Sequence, residues 1–224
     1  MSVNAKDIIN KMESIAPKEI CCSWDNVGVM VGASGKEVKK VLIALDCSAD
    51  IIDEAVNMGA DMIITHHPFI FKAVKSLDYK NPISKKIEKI IKNDILVYSA
   101  HTNLDIADHG TNYTLAELLE LEDTEGLVPM GEGNFMGRAG RLKNEMAFSD
   151  FIEFVKNKLG AERLAVNGNM DAFIKKVGLC TGAGADYEFL ARAKELGCDA
   201  YVTGDVGYHD GQSAEDIGIC LIDG

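Results

Sequence analysis

Two stretches of this chain carry the same signals in the same order, and that repetition constrains its fold more than any other feature. Lys39-Lys40-Val41 is matched by Lys175-Lys176-Val177, Ala49-Asp50 by Ala185-Asp186, and Gly59-Ala60-Asp61 with Thr65 by Gly197-Cys198-Asp199 with Thr203. The offset is 136 residues at the first pair (Lys39 to Lys175) and 138 at the last (Thr65 to Thr203), a two-residue insertion in the helix or its cap. Each copy reads as a strand, a capped amphipathic helix, a Gly-x-Asp turn and a second strand, which is a βαβ unit. A chain built from two such units is α/β, with mixed sheets flanked by helices. At 224 residues, 47% of them apolar, it can bury a core without disulfide or metal staples.

The first copy can be followed element by element. Val41 to Leu45 reads as a buried strand, Asp50 to Met58 as a helix with Ile51, Ile52, Ala55 and Val56 on one face, and Met62 to Thr65 as the next strand. Ile83 to Lys92 then predicts a helix, and Ile95 to Ser99 another strand. Between Glu122 and Gly140 the chain holds five glycines and few apolar residues, which predicts a loop or a crossing between domains. The expected organisation is a first α/β unit over residues 1–125 and a second over residues 126–224. The latter is expected to be truncated at its C-terminus, because Ile219 to Ile222 reads as a strand that stops where site residues usually emerge.

Lys and Arg number 23 against 35 Asp and Glu, a formal charge of −12. No overall positive field would attract phosphate backbones or anionic lipid, so neither nucleic acid nor membrane is an expected partner. The cysteines (Cys21, Cys22, Cys47, Cys180, Cys198 and Cys220) show no Cys-x-x-Cys spacing. Several lie in apolar runs, where a thiol packs as a small hydrophobe, and the expected location is a reducing cytoplasm. The first residues hold no apolar signal-peptide core, and no run of about 18 apolar residues occurs.

Thr65-His66-His67-Pro68 sits at the carboxyl end of a strand, where open α/β sheets place their ligands. Neighbouring side chains on extended backbone point apart. Two adjacent histidines would therefore each hold a different ion of a close pair, or else are a core histidine beside a loop histidine. Ala100-His101-Thr102-Asn103-Leu104-Asp105 occupies the same end of the following strand. His101 and Asp105 share a face if that segment turns helically. Imidazole with carboxylate suits Zn, Fe, Mn or Ni better than Ca or Mg; the alternative is a capping Asp beside a structural His. The second copy carries Gly204-Asp205 in place of the histidine pair, so the histidines are a specialisation of the first copy.

Other motifs carry weaker signals. Thr181-Gly182-Ala183-Gly184-Ala185-Asp186 could offer backbone N–H groups to a phosphate. It lacks the third glycine of a dinucleotide fingerprint and the ending of a P-loop, so a plain strand-to-helix turn is expected. Arg138 and Arg141 either approach an anionic substrate or are solvated. Trp24-Asp25-Asn26-Val27-Gly28 is expected to place its tryptophan in the core. Cys21-Cys22 reads as structural, His109 as a surface residue, and His209 as a site neighbour or an exposed or capping residue. No Gly-x-Ser-x-Gly elbow occurs, so a serine hydrolase mechanism has no support.

With these motifs in this order, the chain resembles the NGG-interacting-factor-three-like (Nif-three-like) family, whose members are labelled GTP cyclohydrolase type 2 homologues. The likeness spans nearly the whole chain. It rests on Trp24-Asp25-Asn26-Val27-Gly28, Ile63-Ile64-Thr65-His66-His67-Pro68, Ser99-Ala100-His101-Thr102-Asn103-Leu104-Asp105, Gly137-Arg138-Ala139-Gly140, and Tyr201-Val202-Thr203-Gly204-Asp205-Val206 with His209. The resemblance implies a duplicated α/β fold, a dinuclear centre with two divalent ions per complete site, and a ring-like homohexamer whose sites face an inner cavity. It implies that the positions of His66, His67, His101 and Asp105 are metal-site residues. It also implies a second ligand cluster, Gly-His-x-x-Thr-Glu, directly after Leu221-Ile222-Asp223-Gly224, so that one His and one Glu of the expected set fall outside this sequence.

The reading that follows is a dinuclear metal-dependent hydrolase acting on a small anionic, nucleotide-like substrate. His66, His67, His101 and Asp105 are the expected ligands for Zn, Fe, Mn or Ni. Arg138, the Gly182 to Gly184 turn and His209 are the candidate substrate contacts under this reading, in a cytoplasmic homo-oligomer. The rival is a non-catalytic metal-binding scaffold or regulatory protein, and a fold without metal is the third possibility.

Overall fold

One carboxylate explains how each copy of the repeat is built. The computed structural model describes residues 2–224. Asp61 Oδ2 accepts hydrogen bonds from the backbone N–H groups of Lys39 (2.7 Å) and Lys40 (3.0 Å). Asp199 Oδ2 accepts from those of Lys175 and Lys176, both at 2.9 Å. Each carboxylate thus pins the start of one strand to the start of the next. Lys40 and Lys176 complete the device by donating from Nζ to the carbonyls of Met58 and Leu196. Gly59 and Gly197 follow the intervening helices with φ of 64° and 77°, the left-handed conformation that ends a helix without a Cβ penalty. The Lys-Lys-Val and Gly-x-Asp signals are therefore a hydrogen-bonding device used twice.

The chain divides into two units, the first ending at Ala107 and the second spanning Asp108–Gly224. Residues 125 and 126, the boundary read from the sequence, lie inside a strand of the second unit.

In the first unit, β1 (Val3–Asn4) and β3 (Glu37–Val38) form a short ribbon. The main sheet runs in the order β2 (Gly28–Val31), β6 (Leu96–Ser99), β5 (Met62–Thr65), β4 (Val41–Ala44). β4, β5 and β6 are parallel, and β2 is antiparallel to β6. Every residue of β5 and β6 is buried, as expected of parallel strands covered on both faces. Ile63 and Val97 pack with Ile52, Ala55, Ile87 and Ile90 of α2 (Ala49–Met58) and α3 (Pro82–Lys92). Met62, Ile64, Leu96 and Tyr98 alternate onto the other face, against Ala5, Ile8, Ile9 and Met12 of α1 (Ala5–Ile15). Ser48 Oγ caps α2 by accepting from Ile51 N–H (3.3 Å). Asn81 Oδ1 caps α3 by accepting from Ile83 N–H (3.1 Å), with Pro82 opening the helix. A short helix, α4 (Thr102–Ile106), follows β6. β4 is not the buried strand its apolar run suggests. It is the sheet edge, with Ile43 76% exposed, because a run of this length does not reveal whether a second strand covers it.

In the second unit six strands run in the order β7 (Glu122–Gly131), β8 (Asn134–Ala147), β10 (Phe173–Ala183), β11 (Ala200–Gly204), β12 (Cys220–Asp223), β9 (Ala165–Asn167). β10, β11 and β12 are parallel and the remaining ladders antiparallel. Phe148, Phe151 and Val155 of α6 (Phe148–Leu159) and Ala116 of α5 (Thr111–Leu118) pack with Val177, Leu179, Val202 and Ile222. α7 (Tyr187–Glu195) buries Leu190 and Ala193, and α8 (Tyr208–Ile217) leads into β12. The glycine-rich stretch read as a loop is the β7–β8 hairpin. A Cβ on Gly126 would lie 2.0 Å from Phe135 Cγ, so that glycine makes room for the facing ring. Both units are α/β, with mixed sheets flanked by helices. Among the described residues no helix is long and apolar enough to cross a membrane.

Candidate metal centre

The site begins where β5 stops. The hydroxyl of buried Thr65 donates to the carbonyl of His67 (2.9 Å) and meets Ser99 Oγ at 2.8 Å. The His67 N–H donates to the carbonyl of Leu45 (3.0 Å). Extended backbone therefore ends at Thr65, and the alternation of side chains ends with it. His66 and His67 do not point apart as extended backbone would require; their ring centroids are 5.2 Å from each other and 5.1 and 5.8 Å from that of His101. His101 is held at the end of the neighbouring strand, where Ala100 N–H donates to the Thr65 carbonyl (2.9 Å). Asn103 fixes the turn by accepting from His101 N–H (2.9 Å) and donating from Nδ2 to the Ala16 carbonyl (2.7 Å). The helical turn expected after His101 forms, with Asp105 N–H donating to the His101 carbonyl (3.0 Å). It places Asp105 Oδ1 3.6 Å from His66 Nε2.

All three imidazoles are held in one tautomer. His66 Nδ1 lies 2.9 Å from the Ala100 carbonyl, His67 Nδ1 2.8 Å from Asp46 Oδ1, and His101 Nδ1 3.0 Å from Asp25 Oδ1. Each partner can only accept, so each Nδ1 carries the proton and donates, leaving Nε2 with its lone pair toward the site. One ring nitrogen from each histidine lies within 4.8 Å of the other two. Three imidazoles with a carboxylate beside them form a donor set that suits the borderline transition metals, and the carbonyl and carboxylates behind them are the supports such ligands ordinarily have.

Burial divides the supporting carboxylates. The Asp25 side chain is fully buried, while that of Asp46 is 60% exposed. Burial alone would raise the Asp25 pKa. Hydrogen bonds from the Thr102 hydroxyl (2.5 Å), His101, the Thr102 N–H (3.0 Å) and the Asn26 N–H (2.7 Å) outweigh it and hold the carboxyl below its ordinary range. Burial pushes His66 below the usual histidine value; Asp105 opposes that shift, while His101 and His67 add to it, so the ring stays neutral.

The other residues singled out from sequence take different places. Trp24 is not in the core: it is 62% exposed and stands edge-on to His101 and Phe71. Arg138 lies in the second unit, paired with Asp108 (3.3 Å) and over the Tyr113 ring. His209 is also there, exposed at the start of α8, with Nδ1 3.0 Å from Gln212 Oε1. The Gly182 to Gly184 turn spends its polar groups internally: Gly184 N–H donates to Thr203 Oγ1 (3.1 Å), which donates to the Gly182 carbonyl (2.9 Å). Asp46, which supports His67, belongs to no motif in the sequence. Its signal is position, just past β4 at the same sheet end as the histidines.

Comparison with known proteins covers the whole chain. The family model described as Duf34/NIF3 (NGG1p interacting factor 3) matches residues 3–224. A protein of Clostridium perfringens named GTP cyclohydrolase 1 type 2 homolog is 39% identical over 221 residues, covering 97% of this chain and 83% of the relative. One of the same name from Methanocaldococcus jannaschii is 35% identical over 222 residues, covering 99% and 87%. Among solved structures, a Bacillus cereus protein related to NIF3 superposes with a TM-score of 0.93 at 29% identity, over 99% of this chain and 87% of its own. Reduced HcgD from Methanocaldococcus jannaschii gives 0.86 at 34% identity, over 100% and 87%.

Proposed function

The chain belongs to the Duf34/NIF3 family, and on that premise we propose that its first unit supplies four ligands of a dinuclear divalent-metal centre that hydrolyses a small anionic, nucleotide-like substrate. The observation that carries the reading is the shared tautomer: three converging histidines each have Nδ1 committed to an acceptor and Nε2 left to coordinate. His66, His67 and His101, with Asp105, would hold the metal. Divalent metal, when bound, supplies Lewis acidity to the scissile group and lowers the pKa of water. The chain's own part is positional. Asp25, Asp46 and the Ala100 carbonyl keep the imidazoles oriented, and the depressed pKa of His66 keeps its Nε2 unprotonated near neutral pH. The name carried by the relatives supports a nucleotide as the substrate class. A homohexamer is part of this proposal and is checked by sedimentation.

The test is elemental analysis of protein purified without chelator or affinity tag, alongside turnover on phosphate, ester and cyclic-amide substrates. Metal and turnover in the parent chain, with both lost in His66→Ala, is the expected result. Undiminished metal and turnover in His66→Ala would overturn the assignment. Metal without turnover on any substrate would favour a metal-binding scaffold.

A further inference from the structure

Trp24 is the chain's one tryptophan, and it stands in the open. It is 62% exposed, and Phe71 beside it is 48% exposed. The two rings meet edge to face with centroids 6.1 Å apart, and each also meets the His101 imidazole, at 6.2 Å from Trp24 and 6.5 Å from Phe71. The interplanar angles are 73°, 73° and 86°, so three ring faces stand close to perpendicular in an open corner. One of its walls is a candidate metal ligand.

The corner is braced from behind. Trp24 immediately precedes Asp25, whose carboxylate is fixed by His101, Thr102 and Asn26. Asn26 Nδ2 in turn donates to the carbonyl of Ile70 (2.6 Å), the residue before Phe71. Both aromatic residues thus adjoin groups that tie their segments to each other and to the site. Phe71 also lines a cavity of about 460 Å³ with Lys72, Ser76 and Asn81, a volume in the range of small-molecule sites. Aromatic faces left in water forgo hydrophobic stabilisation that a flat ligand would recover, and a π-face accepts any planar ring.

We propose that Trp24 and Phe71 form a stacking platform for a planar heteroaromatic ring of the substrate, setting that ring against His101, so that the centre selects ring-bearing anions over sugar phosphates. The proposal rests on the metal-centre reading for the identity of the site, while the ring contact is measurable without turnover.

Because Trp24 is the one tryptophan, its fluorescence reports on the corner directly. Zinc-loaded and chelated protein would be titrated with adenosine, guanosine and uridine monophosphates, and with ribose phosphate as the ring-less control. Saturable quenching by a nucleotide and none by ribose phosphate is expected. By calorimetry, Trp24→Ala should weaken nucleotide binding about tenfold or more, with Trp24→Phe retaining most of it. Because Trp24 is exposed, an unchanged thermal melt is expected for Trp24→Ala, and Phe71→Leu provides a second, independent variant. Ribose phosphate binding as tightly as every nucleotide, or unchanged affinity in both Trp24→Ala and Phe71→Leu, would overturn the proposal. So would emission that moves with protein concentration and not with nucleotide, which would assign the corner to contact between copies. Elemental analysis keeps the two readings apart: nucleotide quenching in a protein that takes up no metal would leave the platform standing and remove the hydrolase.

Discussion

Asp25 and Asp46 each hold one histidine by its Nδ1, and the difference in their surroundings sets how much each matters. Asp25 is buried and receives donors on both oxygens: His101 and the Asn26 N–H on Oδ1, and the Thr102 N–H and hydroxyl on Oδ2. In Asp25→Asn, whichever way the amide turns, its N–H₂ faces a donor that cannot turn away. Metal affinity should fall by about 10- to 100-fold, as when the support of a ligating histidine is removed. Asp46→Asn keeps an oxygen for His67 Nδ1 in a largely solvated position and should cost only a few-fold. Competition against a chromogenic chelator measures both, and equal losses would show that the buried network does not tune the site. At this scale the histidine pair and His101 with Asp105 were legible from sequence, because adjacent residues at a strand end declare themselves. Asp46 and the exposure of Trp24 were not, since each depends on a partner 21 or more residues away.

Elements were legible where one stretch of chain decides them. α2, β5, α3 and β6 lie within a residue of where hydrophobic periodicity puts them. The edge position of β4 and the β7–β8 hairpin escaped because neighbours distant in sequence decide both. Ile90 illustrates the buried side of this logic: it is wholly inaccessible between α3 and the sheet, so Ile90→Ala should destabilise the protein by about 2–5 kcal/mol in urea denaturation. The repeated Asp device makes a pH prediction at the same scale. The backbone N–H of Lys39, helped by that of Lys40 and opposed by slight burial, holds the Asp61 carboxyl below its ordinary value. A depressed folded-state pKa contributes stability above the unfolded value of about 3.9, and that stability is lost as pH falls through the folded one. Asp61→Asn should therefore be less stable than the parent at neutral pH and lose less on acidification below about pH 4. Urea midpoints across that range test it, and parallel curves for the two proteins would count against the device.

Across the whole molecule the cysteines share one fate. Five are buried and Cys21 is half-buried, none joined in a disulfide, and burial heads the causes that raise the pKa of Cys21, Cys22, Cys47, Cys198 and Cys220. Cys47 in the first unit is pushed up to about 11 and Cys198 in the second to about 12. A folded-state pKa raised above the unfolded value contributes stability that is full below the unfolded value and is lost as pH rises toward the folded one. Unfolded thiols titrate at about 8.5, so above that pH the unfolded chain binds fewer protons than the native one and stability must fall. The slope approaches about 1.4 kcal/mol per pH unit for each thiol that stays protonated only when folded. Between about pH 8 and about pH 9.5, before tyrosine titrates appreciably, the urea midpoint under reducing conditions should therefore decline. The decline should be shallower in the Cys47→Ala, Cys198→Ala double variant, and iodoacetamide should modify these two thiols only as the chain unfolds. An equal slope in the double variant, or ready alkylation of Cys198 in the native protein, would mean that the interiors of the two units are wetter than their packing implies.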